Sequence, residues 1–98
     1  MTETVQKVLS HEPDAKRYTL LIDGNVAALA DYRVNGNSIS FHHTYTQPHL
    51  RGRGLAAEVL EFAMNDVERH STRRVLPMCW YVADWFDAHP ERTALLTR

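Results

Sequence analysis

The chain has 98 residues, 44% of them hydrophobic and 23% charged, with a net charge of -1 and a pI near 6.6. That length fits one domain over residues 1–98, and the apolar content supports a folded core rather than a disordered chain. The near-neutral balance argues against a general nucleic-acid or membrane-surface binder, which needs a basic surplus.

One cysteine, Cys79, rules out an internal disulfide and suits a reducing, cytoplasmic setting. Met1-Thr2-Glu3-Thr4 does not read as a signal peptide. No apolar run approaches the roughly 18 residues of a membrane span. No repeat, low-complexity segment or linker stands out.

Val5 to Leu9 is a short apolar stretch, and His11-Glu12-Pro13-Asp14 reads as a turn. Arg17 to Asp23 alternates, with Tyr18, Leu20 and Ile22 on one face, and predicts a strand. Asp23-Gly24-Asn25 is a hairpin signal. A partner strand follows, with Val26, Ala28, Ala30, Tyr32 and Val34 on one face. After a second tight turn, Asn35-Gly36-Asn37, a third strand carries Ile39, Phe41, His43 and Tyr45 on one face. Two successive hairpins make an antiparallel meander.

The period then changes. Over residues 55–69, Ala56, Val59, Leu60, Ala63, Met64 and Val67 recur at helical spacing, with Glu58, Glu61, Asn65, Glu68 and Arg69 opposite. This predicts an amphipathic helix with one face against the sheet. Arg73 to Pro77 reads as a short strand, Trp80 to Ala88 as a second helix broken before Pro90, and Glu91 to Leu96 as a last helical turn. A strand, a crossover helix and a further strand imply a parallel pair. The predicted fold is α+β: an antiparallel meander of three strands, with a fourth as the alternative, then helix, strand and helix in one mixed sheet. A crevice is expected where the third strand and the Val75 strand part around the start of the long helix.

That helix starts at Pro48-His49-Leu50-Arg51-Gly52-Arg53-Gly54-Leu55-Ala56. Gly52 and Gly54 free the backbone for unusual dihedrals and for close approach to a ligand. The first N–H groups of a helix are unpaired, and with the positive end of its dipole they form an anion site. Arg51, Arg53 and His49 add positive charge to the rim. The turn suits a phosphate or pyrophosphate. It is not a P-loop, because no G-x-x-x-x-G-K-[ST] is present, and no dinucleotide-binding G-x-G-x-x-G occurs.

Arg51-x-x-Gly54-x-Ala56 resembles the acetyl-CoA pyrophosphate loop of the Gcn5-related N-acetyltransferases. The resemblance extends over most of the chain, through His43-Thr44, Arg51 to Ala56, Pro77-Met78-Cys79 and His89-Pro90-Glu91. Their spacing and the short length resemble the small single-domain YjdJ-type subgroup. The resemblance implies a minimal fold of that family, binding of acetyl-CoA or CoA as cosubstrate, and acetyl transfer to an amine. It implies cofactor contacts from Arg51, Gly52, Arg53, Gly54, Leu55 and Ala56.

Such transfer needs an oriented thioester, a neutral amine, a proton acceptor and a donor for the developing oxyanion. Cys79 is the first candidate for the chemistry, since the subgroup resembled has a cysteine there. It would carry the acetyl group covalently or move a proton; otherwise it is a small packed side chain. His43 is the second candidate, as a base late in the third strand; otherwise it is a histidine satisfied by the backbone. Alternation puts His42 on the opposite face, so a metal site is not expected from the pair. Relatives with His-Thr-Glu-Val have a carboxylate where this chain has Tyr45, and a phenol of pKa about 10 is a poor base at neutral pH.

Trp80, Tyr81, Trp85 and Phe86 read as core aromatics, with a channel lining as the alternative. Beside the acetyltransferase stand two other readings. One is a CoA-binding module without catalysis. The other is an RNA-contacting Arg-Gly loop, which the net charge disfavours. The amine acceptor, small molecule or protein, and the oligomeric state are left open.

Overall fold

A computed structural model describes residues 6–98. Strands β1 (Lys7–Glu12), β2 (Arg17–Ile22), β3 (Asn25–Asn35) and β4 (Ser38–Thr46) precede a 3-10 turn over Pro48–Leu50. Then come α1 (Leu55–His70), β5 (Arg74–Pro77), α2 (Trp80–Ala88) and a 3-10 segment over Pro90–Leu96. The sheet order is β1-β2-β3-β4-β5. The first four strands are antiparallel and β5 lies parallel to β4. The fold is α+β with one mixed sheet, as the sequence pattern predicts. No helix among the described residues is long and apolar enough to cross a membrane.

The apolar stripe of α1 meets one sheet face. Val59, Leu60, Ala63 and Met64 are fully buried against Tyr18, Leu20, Ala28, Ala30 and Phe41. Burying each large side chain of this kind is worth about 1.5–3 kcal/mol. Val82, Trp85 and Phe86 of α2, with Leu95, close the same core. Arg69 and His70 occupy the last turn of α1, where cations favour the negative end of the dipole.

The start of the chain departs from expectation. Val5 lies outside the described residues. His11 and Glu12 are not a turn; they end β1, an edge strand pairing with β2 from Lys7↔Ile22 to Glu12↔Arg17. Its residues are exposed or half-buried, so no alternating apolar pattern announces it.

Side chains hold the end of β1. The His11 ring stacks on Tyr18 at 4.1 Å and its Nε2 lies 2.6 Å from the Tyr32 hydroxyl. Tyr18 donates to Asp66 Oδ2 of α1 at 2.6 Å. Burial first, and then the bond to Asp66, hold the Tyr18 phenol well above its ordinary pKa. Burial also raises the Tyr32 phenol, with the Asp66 charge adding to it.

Two bulges reset the side-chain phase. Leu20 pairs with Ala28 but Leu21 pairs with Val26, so Ala27 is an additional residue and Val26 turns to the far face. Asp31 pairs with His43 but Tyr32 pairs with Phe41, so His42 is additional on β4. The second bulge decides which side chains face the site.

Candidate functional site

β4 and β5 pair from Ser38↔Arg74 to Phe41↔Pro77 and then part. The amides of Met78 and Cys79 both donate to the Phe41 carbonyl at 3.0 Å, turning the chain away into α2. β4 runs on to Thr46, and beyond Phe41 its β5-side edge has no strand partner among the described residues. A cavity of about 430 Å³ lies at this parting, lined by Thr44, Tyr45, Thr46, Leu50, Arg51, Gly52, Gly54, Leu55, Ala56, Trp80 and Tyr81. It is the crevice that the sequence places around the start of the long helix.

The bulge at His42 determines what β4 presents there. Strict alternation from Ile39 and Phe41 would carry His43 to the helix side. The additional residue flips the phase, so Thr44 follows Ala30 and Thr46 follows Ala28 onto that side. His43 instead sits opposite Asp31, with Nδ1 3.9 Å from its Oδ2 and the side chain 47% exposed. Asp31 also accepts from Arg17 Nε at 2.7 Å, a bond that raises the guanidinium pKa further. His43 does not line the cavity.

The loop supplies the other wall. Gly52 has φ 83° and Gly54 has φ 73°, both in the left-handed region that side chains avoid. Gly54 caps α1 without any side-chain hydrogen bond, and the first helical bond is Glu58 N–H to the Gly54 carbonyl at 3.1 Å. The leading amides of α1 therefore have no partner within the helix, and Leu55 and Ala56 border the cavity. Glu58, the acidic residue of that first turn, is engaged by Lys7 at 3.2 Å. Arg51 lines the cavity, whereas Arg53 and His49 do not; His49 lines a separate depression with Asn25, Gln47 and Leu50.

Cys79 is the residue before α2, half-buried, with Sγ 3.6 Å from Thr44 Oγ1. It is not in the cavity lining, but its neighbour Trp80 and its contact Thr44 both are. The aromatics of α2 divide by helix face. Trp85 and Phe86 are core, while Trp80 is 73% exposed and Tyr81 half-buried beside the opening. Trp80 and Tyr81 meet edge to face at 5.8 Å. His89 is structural, stacked on Trp85 and 2.7 Å from its carbonyl oxygen.

The cleft thus combines an open strand edge, an uncapped helix start with one arginine, an aromatic rim and a thiol behind a threonine. It can seat an extended group with amides at one end and an anion at the other. Sequence reasoning did not find Thr44, Thr46 or Leu50. The only signal for Thr44 was its place beside His43 in the His-Thr pair.

A family model described as GCN5-related N-acetyl-transferase matches residues 17–95, from β2 through the 3-10 segment after α2. No curated protein matches the chain in sequence. Among solved structures, the ribosomal-protein-S18-alanine N-acetyltransferase from Escherichia coli is similar in fold, with a TM-score of 0.56 at 20% identity. The alignment covers 60% of this chain and 38% of that one, so the chain spans well under half of that enzyme's length. With the match running over most of its residues, the chain belongs to the GCN5-related N-acetyltransferase family.

Proposed function

We propose that residues 1–98 act as one small acetyl-CoA-dependent N-acetyltransferase of the YjdJ type, working in the cytoplasm on an amine acceptor. One juxtaposition carries the reading: the uncapped start of α1 and the unpaired edge of β4 border the same cavity. The pyrophosphate of CoA fits the amides from Gly52 to Ala56, with Arg51 as its charge partner and Arg53 toward the outer phosphates. The two amides of the pantetheine arm can pair along β4 as an added strand. That arm brings the thioester toward Thr44 and Cys79.

The acceptor nitrogen attacks the acetyl carbonyl carbon, the carbon–sulfur bond breaks, and the CoA thiolate takes up a proton. Amides on the open edge of β4 are the available donors for the oxyanion. Cys79 either carries the acetyl group as a protein thioester or relays a proton beside Thr44. With His43 on the far face, Cys79 and water are left for proton transfer.

A thermal-shift titration with acetyl-CoA, against CoA and ADP, tests the site. A ligand at 100 times its dissociation constant adds about 2.7 kcal/mol, and each kcal/mol moves the midpoint of a chain this size by roughly 4–8 °C. A shift of about 10 °C or more is expected, reduced in Arg51→Glu. No shift at millimolar acetyl-CoA overturns the proposal.

One observation favours a second reading, a CoA-binding module without turnover: among the described residues, no carboxylate or imidazole lines the cavity. Release of CoA with an amine, lost in Cys79→Ala while the acetyl-CoA shift persists, supports transfer. A shift without CoA release supports the module.

A further inference from the structure

The far end of α1 holds a second cavity, about 24 Å along the helix from the cleft at 1.5 Å per residue. Its volume is about 550 Å³, and it opens between the last turn of α1, the link over residues 71–73, the β3–β4 turn and Arg98. Arg69, Arg73 and Arg98 bring three guanidiniums to its lining, and Ser71, Thr72 and Asn37 bring hydroxyl and amide donors. No hydrophobic side chain lines it among the described residues. None of the three arginines is in an ion pair among those residues. The nearby carboxylates are engaged elsewhere. Glu68, on the rim, lies 3.8 Å from Arg92, whose Nε and Nη2 are buried without a hydrogen bond among the described residues. Asp66 accepts from Tyr18 and lies 4.0 Å from His70.

The dipole of α1 accounts for part of this arrangement. Arg69 sits in its last turn, and Arg98 donates to the carbonyls of Val67 and Ser71. The dipole does not account for Arg73, beyond the helix end, because its pull fades within the last turn. Arg73 is instead held by Nε, which donates to the Gly36 carbonyl at 3.1 Å. Its own amide donates to Ser71 Oγ at 3.0 Å, and the next amide, Arg74, donates to the Asn37 carbonyl at 2.8 Å. Two guanidiniums are thus fixed by main-chain carbonyls, which leave their charge uncompensated. Arg73 keeps Nη1 and Nη2 without a partner among the described residues, the fork that grips a phosphate in two parallel bonds. Fixing the donors beforehand lowers the cost of binding. We propose that this cavity is a second anion site, separate from the cleft, for a small phosphorylated molecule of the pyrophosphate or phosphate-ester class. Its volume falls in the range of small-molecule sites. A lining without hydrophobic side chains has nothing to hold a nucleobase or a long carbon skeleton, whereas three guanidiniums match a multiply charged head. A long polyanion does not suit the chain, because the other eight Lys and Arg residues stand against twelve Asp and Glu. The proposal does not rest on acetyl transfer.

The test is calorimetric titration with inorganic pyrophosphate at low salt. It is run with saturating CoA, and again in Arg51→Glu, so that the start of α1 does not contribute. Binding is expected in both cases, weakening as salt rises. Arg69 makes no hydrogen bond or ion pair among the described residues, so Arg69→Gln should keep the thermal midpoint. It should weaken pyrophosphate about fivefold, the equivalent of about 1 kcal/mol for an exposed charge pair. Arg73→Gln/Arg98→Gln should weaken it more than about tenfold by the same reckoning. Absence of binding when CoA is present and in Arg51→Glu overturns the proposal, as does binding unchanged in Arg69→Gln and in the double variant. Citrate binding as tightly as pyrophosphate overturns the assignment to phosphates. A single-stranded oligonucleotide binding more tightly than pyrophosphate, with a steep salt slope, overturns the assignment to a small ligand.

Discussion

Tyr18→Phe tests the network that ties β1, β2 and β3 to α1. The Tyr18 ring is 1% exposed, and its hydroxyl donates to Asp66 Oδ2 at 2.6 Å. The substitution keeps the ring, its stacking on His11 and its core contacts, and removes one bond to a carboxylate. Hydrogen bonds to charged groups are worth about 1.5–3 kcal/mol. The Asp66 side chain is 29% exposed, so water partly replaces the lost donor and the low end applies, about 1.5 kcal/mol. The midpoint should fall by roughly 6–12 °C.

An alkaline titration adds an independent readout. Both the Tyr18 and Tyr32 phenols are held above their ordinary value, so the native chain keeps protons that the unfolded chain releases. The stability tied to them is fully present below about pH 10 and falls as pH rises, by about 1.4 kcal/mol per unit for each phenol. Tyr18→Phe should remove one of these contributions and flatten the decline above pH 10. Gly54 and Asp66 are twelve residues apart along α1, about 18 Å, so the acetyl-CoA shift should not change. An unchanged midpoint together with an unchanged alkaline slope, followed by circular dichroism, would refute the account of this network.

His43→Ala should leave the acetyl-CoA thermal shift unaltered and any amine turnover within about twofold, because the side chain pairs with Asp31 away from the cavity; a loss of turnover at full cofactor binding counts against this placement. Gly54→Ala meets no heavy atom within 4 Å, so its cost is the left-handed backbone alone. That cost is about 1–2 kcal/mol, and Gly54→Asn should cost less, both read by urea denaturation. Leu60→Ala, at a fully buried position, should cost about 2–5 kcal/mol, a large part of the 5–15 kcal/mol typical of a folded domain; a cost below 1 kcal/mol in the same assay would contradict the packing of α1.

The legible parts of the chain were those where one local period controls burial. Val59, Leu60, Ala63, Met64 and Val67 recur at helical spacing and all are buried, so α1 was evident, and its glycine start was evident from the turn chemistry. β1 was not, because its polar residues are held by pairing to β2 and by the stacking of His11 on Tyr18, contacts that no local pattern encodes. The four aromatics after Cys79 looked alike in composition. Helical phase separates Trp85 and Phe86 in the core from Trp80 outside, and applying that phase would have sorted them.

His42 shows the deeper limit. A strand's faces are fixed by pairing register, and one additional residue exchanges every side chain beyond it. Nothing in Phe41-His42-His43-Thr44 marks which residue is unpaired; only the partner residues Asp31 and Tyr32 decide it. The bulge falls where β4 leaves β5, next to the cavity, and it brings Thr44 rather than His43 beside Cys79. Local rules fail there for a physical reason. A cleft needs a strand that stops pairing, a helix start without a cap and an aromatic side chain left in water. Each is a departure from the pattern that makes a sequence readable, so the failures of pattern reading gather around the site.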